Sequence, residues 1–165
     1  IQAAGPAGVW QLFASGKSEV MAGVPDWVVS ARAAGTKVHI MPREEGFNSM
    51  AQAILASDES IKNNPELIQK MVRATLKGMT LIMNETDKAV ASYVEANLAF
   101  KGKEDHVRQV FDLYNKYVYA NQEVPGTMDP ERLANVQKFY VSEGIVNTET
   151  PLDELYTNQF VGDGK

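Results

Sequence analysis

Apolar residues follow two different rhythms along this chain, and the change comes near Asp58. Downstream of that point, apolar positions recur with the three-to-four spacing of amphipathic helices. Upstream, short apolar runs alternate with short helical stretches. In the upstream part, Pro6–Ser15 carries Val9, Trp10, Leu12 and Phe13 at helical spacing and stops at Gly16. Glu19–Val24 (EVMAGV) is too short and too apolar for a surface helix, and predicts a buried strand. Asp26–Ala34 predicts a short helix closed by Gly35, a residue type favoured just past a helix end. Lys37–Met41 (KVHIM) predicts a second strand stopped by Pro42, Gln52–Ala56 (QAILA) a third, and Ile1–Ala3 the end of another. Strands alternating with helices predict an α/β fold with a small, mainly parallel sheet, followed by a helical C-terminal half. Three or four short strands leave at least one sheet edge that has to be covered.

The helical half has clear start signals. Asn64-Pro65-Glu66 combines a capping residue, a proline at the first helical position and an acid near the positive end of the helix dipole. Leu67, Ile68, Met71, Val72, Leu76, Met79 and Met83 then form one apolar face, and its methionines predict core rather than a site. A shorter helix from about Asp87 is expected to bury Val90, Tyr93, Val94 and Leu98. Another, from about Lys103 to Val118, aligns Val107, Val110, Phe111, Tyr114 and Val118. Ala120–Met128 is a turn-rich connector. The last third is the most legible: Asp129-Pro130-Glu131 opens a helix with Leu133, Val136, Phe139 and Tyr140, stopped by Gly144. Thr150-Pro151-Leu152-Asp153 opens a final short helix holding Leu155 and Tyr156.

The 165 residues suffice for a real hydrophobic core, and no apolar run approaches the ~20 residues of a membrane-spanning helix. A net charge of −5 with dispersed acids gives no reason to expect nucleic acid as a partner. The chain has no cysteine, which removes disulfides, thiolate zinc sites and cysteine nucleophiles. It opens IQAAGP, without an initiator methionine or a basic-then-apolar leader. The expectation is a removed leader or a start inside a larger protein.

Candidate chemistry is sparse. His39 and His106 are far apart, with no His or Cys nearby at metal-ligand spacing, and read as satisfied or solvated side chains. Glu44–Glu45 and Asp58–Glu59 are adjacent carboxylates, which point in different directions and read as a solvated loop tip and a helix start. No nucleophile-elbow, P-loop, zincin or complete dinucleotide signature is present. Gly5-Pro6-Ala7-Gly8 lacks the Lys-Ser/Thr of a phosphate loop, though a glycine turn entering a helix presents free N–H groups to an anion. Pro25-Asp26-Trp27 follows the first predicted complete strand, where open α/β sheets place their ligand crevice. Trp27 could stack on a ligand and Asp26 could accept hydrogen bonds, or Asp26 could cap the helix while Trp27 packs. Phe47-Asn48-Ser49, before the third strand, offers a ring and two hydrogen-bonding side chains.

These features occur in a familiar order. Gly5-Pro6 into a helix, FASGKSEVMAGVPDW, a helix ending at Gly35 and TKVHIM resemble a stretch of the nitrate/taurine/alkanesulfonate-type periplasmic binding proteins, a family that includes binders of thiamine-pyrimidine precursors. Ser15, Gly16, Glu19 and Pro25 occupy matching positions, while Ser18 stands where an aliphatic residue is usual and Glu19 where Asp is usual. The resemblance continues through QAILASDESIKNNPELIQKMVRATLKGM, NETDKAVASYV, DPERLANVQKFYVSEGI and PLDELYTNQFV.

The resemblance implies a type II periplasmic-binding fold of two α/β lobes closing on a ligand, of which this sequence is a C-terminal portion. Residues 1–57 would belong to the second lobe with its ligand-facing loops, and 58–165 would be helices packed on the first lobe. It further implies the substrate-binding component of an ABC importer. Such a protein captures a small organic solute (sulfonate, carboxylate or pyrimidine-like) and delivers it to a membrane permease, outside the cytoplasm, with a lipoprotein form compatible. Gly5, Pro25, Asp26, Trp27, Glu45, Phe47 and Asn48 would face the ligand, with no cofactor, metal or catalysed reaction. The rivals are a thiamine-pyrimidine synthase-like enzyme on the same fold and a self-contained helical interaction module. A partial chain would also expose apolar helix faces, which dimerisation would cover.

Overall fold

The computed structural model describes residues 5–41, 52–120, 122 and 124–162. Its elements, in chain order, are α1 (Gly5–Ala14), α2 (Pro25–Ala33), α3 (Asp58–Asn63), α4 (Pro65–Asn84), α5 (Thr86–Ala96), a 3₁₀ turn (Leu98–Phe100), α6 (Glu104–Tyr114), a π turn (Asn115–Tyr119), α7 (Pro130–Ser142) and α8 (Leu152–Leu155). They fall into two compact units, one of Ile1–Pro42 with Leu81–Val118, the other of Arg43–Thr80 with Tyr119–Lys165.

In the first unit α1 packs on α2, α2 on α6 and α5 on α6. Val90 and Val94 of α5, four apart, meet Val107 and Phe111 of α6, also four apart. With Ala89 they form the buried core, against which Leu81, Ile82, Phe100 and Val110 pack. Tyr93 lies edge-on to both Phe100 and Phe111, with ring centroids 5.3 and 5.7 Å apart. The polar ends of these helices are satisfied locally. The Ile82 carbonyl, in the last turn of α4, accepts from Thr86 Oγ1 at 2.8 Å and from Asn115 Nδ2 at 3.0 Å. Helix α2 closes through Gly35, whose φ of +88° only glycine adopts without strain. The Thr36 amide there returns to the Ala31 carbonyl at 3.1 Å.

In the second unit Asp129 caps α7 by accepting from the Arg132 amide at 3.1 Å, and Gly144 (φ +67°) ends it. Two side-chain amides then grip backbone as a paired strand would. Gln137 Oε1 accepts from the Thr150 amide at 2.8 Å while its Nε2 donates to the Thr150 carbonyl at 3.0 Å. Asn158 does the same to Met128, at 2.9 and 3.2 Å. Gln69 Nε2 adds a bond to the Phe160 carbonyl at 2.8 Å. The C-terminal segment is therefore held chiefly by amide–backbone pairs rather than by a buried core, since no residue of α7 or α8 is buried.

Several expectations need correction. The described residues form no strand, so the α/β class with a small parallel sheet does not hold for them. Glu19–Val24, Lys37–Met41 and Gln52–Ala56 are irregular, and Ile1–Ala3 lies outside the described residues. Apolar residues of the three runs face solvent: Val20 is 73 % exposed, Met41 60 % and Leu55 91 %. A strand exists only where a neighbour pairs with its backbone. The Val20 carbonyl instead accepts from Ser18 Oγ at 2.7 Å, a local bond that competes with any ladder. The long apolar face of α4 contains no buried residue, with Leu67 and Met71 exposed. Tyr93 and Leu98 of the next segment are exposed as well. Thr150 does not cap the last helix. Pro151 holds that position without a side-chain bond, and the Thr150 backbone is engaged by Gln137.

Candidate ligand-binding site

The site residues expected from the sequence meet the structure unevenly. Gly5 opens α1 with φ +67° and is exposed. Pro25, Asp26 and Trp27 form the first turn of α2. Glu45, Phe47 and Asn48 lie outside the described residues. Both α1 and α2 belong to the first unit and pack together there.

The first turn of α2 is the best-defined part. Val24, in an extended conformation, takes the capping position with no side-chain bond, and Pro25 supplies the preset φ of a first helical residue. Asp26 is therefore not the cap, one of the two roles its position allowed. Its carboxylate accepts a hydrogen bond from His106 Nε2 at 3.1 Å, across 80 residues of sequence. A carboxylate can only accept, so Nε2 carries the proton. Trp27 is half-buried, and its six-membered ring lies directly over Gly23. A Cβ at residue 23 would collide with Cε3 of the indole, so Gly23 is what lets the ring lie there.

Two residues of α6 interact with this turn, His106 by a hydrogen bond and Tyr114 through the charge of Asp26. His106 lies in its first turn, its ring tilted 35° against Phe100 with centroids 6.4 Å apart. Tyr114 lies at its C-terminal end, where burial first, and then the negative charge of Asp26, push the phenol pKa above its ordinary value. The phenol is thus a neutral hydroxyl across the ordinary pH range. No local spacing links His106 to Asp26, because packing of α6 on α2 brings the two together. His39 lies on an exposed irregular segment. Asp58 and Glu59 form the first turn of α3, behind a Ser57 cap. Among the described residues no group of acidic and histidine side chains could hold a metal ion. Among those residues, too, no helix is long and apolar enough to cross a membrane.

A half-buried aromatic ring can stack on a planar solute, and a carboxylate oriented by an imidazole can hydrogen-bond its edge. A family model described as NMT1/THI5 like matches residues 1–89. The chain belongs to the NMT1/THI5-like family. The NMT1/THI5-like match takes in all seven expected site residues, including the three outside the described residues, whereas His106 and Tyr114 lie beyond it. Among curated proteins, the chain is similar to the riboflavin-binding protein RibY of Chloroflexus aurantiacus, with 26% identity over 140 residues. That alignment covers 82% of this chain and 40% of the relative, so the chain spans less than half the length of the protein it matches. No solved structure matches the chain.

Proposed function

We propose that this member of the NMT1/THI5-like family is a solute-binding protein that captures a planar heteroaromatic compound for an ABC importer, without chemical conversion. The observation that carries this reading is the family match across residues 1–89, which contains every position expected to face a ligand. The similarity to a protein named for riboflavin binding favours a flavin-like solute, a class not among the sulfonate, carboxylate and pyrimidine-like solutes expected from the sequence. The pyrimidine-like option is the nearest to it, since the isoalloxazine system ends in a pyrimidinedione ring.

In this reading Trp27, Asp26 and Pro25 form one wall of the site, and Gly5 offers a helix-start amide. Phe47, Asn48 and Glu45 supply a second ring and further hydrogen-bonding groups. The indole stacks on the flavin face, and the Asp26 carboxylate accepts from a ring N–H. Residues 1–57 carry all seven positions as part of the second lobe, and the helices of 58–165 pack on the first lobe. The protein works outside the cytoplasm and hands its solute to a membrane permease.

A thermal-shift panel on the full-length protein tests this. Riboflavin is expected to raise the melting midpoint, because a ligand at a hundred times its Kd stabilises the folded state by about 2.7 kcal/mol. Alkanesulfonates and aliphatic carboxylates are expected to leave it unchanged. No shift with riboflavin or with any pyrimidine would contradict the proposal.

A further inference from the structure

We propose that His106 is a positioning residue for the ligand-facing first turn of α2, fixing the Asp26 carboxylate through its Nε2–H and thereby setting the affinity of the site. This inference rests on the solute-binding reading for the meaning of the turn, and on separate geometry for the role of His106.

The geometry is a chain of contacts from the turn to the core. Asp26 Oδ1 accepts from His106 Nε2 at 3.1 Å. The His106 imidazole leans on the Phe100 ring. Phe100 meets the edge of Tyr93, and Tyr93 meets the edge of Phe111. Phe111 belongs to the buried cluster with Val90, Val94 and Val107. The imidazole therefore stands between an anionic side chain in the candidate site and the buried core of the unit.

The pair joins different helices and is partly shielded, with the His106 side chain 27 % and the Asp26 side chain 50 % exposed. Surface ion pairs formed by two long side chains contribute little, because both must be ordered to make them. Here the ring is already held by Phe100 and the short Asp side chain has few rotamers. The bond thus orients at small entropic cost.

On the other side, the absence of a side chain at Gly23 leaves the room in which the Trp27 ring lies. Two neighbouring ligand-facing side chains are thus placed by intramolecular features, Trp27 by the space at Gly23 and Asp26 by the bond from His106. A site so prearranged loses less freedom when a solute arrives, and that saving appears as affinity. Lys103 does not take over this role: its Nζ sits over the Phe100 ring, 5.8 Å from the centroid. The charge of Asp26 is also felt by Tyr114, whose phenol it helps to keep neutral.

The test uses the full-length protein with riboflavin as probe and flavin fluorescence as the measure of affinity. His106→Leu, which removes the donor, is expected to weaken binding about 5- to 30-fold, inside the roughly 2- to 150-fold that coupling within one hydrogen-bonded network spans. His106→Gln, whose amide can donate to Asp26, is expected to restore affinity to within about threefold of the wild type. In an Asp26→Asn background the His106→Leu substitution should have little further effect.

The same variants carrying Trp10→Phe report the orientation of the turn without any ligand, through acrylamide quenching of Trp27. Quenching should change with His106→Leu and return with His106→Gln. Equal losses for Leu and Gln, an undiminished Leu effect in the Asp26→Asn background, or unchanged Trp27 quenching would each overturn the proposal. Failure of the wild type to bind riboflavin would instead count against the functional reading, and the quenching result then decides the role of His106.

Discussion

Replacing Phe111 with alanine is expected to lower the stability of the first unit by roughly 3–5 kcal/mol. The ring is 8 % exposed and sits where α5 and α6 meet, in contact with the buried cluster of Ala89, Val90, Val94 and Val107. Truncation removes the transfer free energy of six ring carbons and leaves a void that two short helices cannot close. It also removes the edge contact with Tyr93, worth about 0.5–1.5 kcal/mol beyond area burial. Against a whole-protein stability of about 5–15 kcal/mol, that is enough to populate a partly unfolded state. Urea unfolding followed by circular dichroism measures the change. Leu98→Ala serves as the comparison: Leu98 is apolar but 75 % exposed, so its truncation should stay within about 0.5 kcal/mol. Equal losses at the two positions would mean that the core does not lie between α5 and α6.

Trp27→Ala is expected to weaken riboflavin binding about 5- to 150-fold, from the roughly 1–3 kcal/mol that an aromatic side chain contributes when a planar base stacks on it. Its effect on stability should be smaller than that of Phe111→Ala, because the indole is only half-buried and packs on a glycine at the unit's surface. The separation of the two effects is what marks the residue as ligand-facing. Fluorescence titration beside a melting curve of the same variant resolves them. A variant that melts much earlier yet binds normally would place Trp27 in the scaffold instead. Asn48→Ala should weaken binding without changing stability if its amide meets the ligand edge.

Legibility from sequence followed the range of the interaction responsible. The cap at Asp129 and the stop at Gly144 were readable because a cap acts over three residues, and a left-handed glycine acts on its own turn. The pairing of α5 with α6 could be anticipated in part, since Val90 and Val94 and Val107 and Phe111 repeat at helical spacing. The strands could not be read in this way. EVMAGV and KVHIM are short apolar runs without periodicity, and such runs become strands only beside a partner. Among the described residues they have none, and Ser18 ties up the Val20 carbonyl locally.

Leu67 and Met71 show the same limit on a helix: an apolar stripe specifies a face but not what covers it. At the site, Pro25-Asp26-Trp27 stood out as a compact cluster of useful chemistry. Its partner His106 did not, because the charged segment KEDHV resembles any solvated helix start. Only packing between α2 and α6 brings that imidazole to Asp26.

The most direct measurement is isothermal titration of the full-length protein with riboflavin, followed by chromatographic recovery of the flavin. The proposal predicts saturable one-site binding with a negative heat-capacity change, as expected for burial of an aromatic solute, and quantitative recovery of unchanged riboflavin. Conversion of the flavin to a product, or no saturable binding of riboflavin or of any pyrimidine tested beside it, would contradict a solute-binding role.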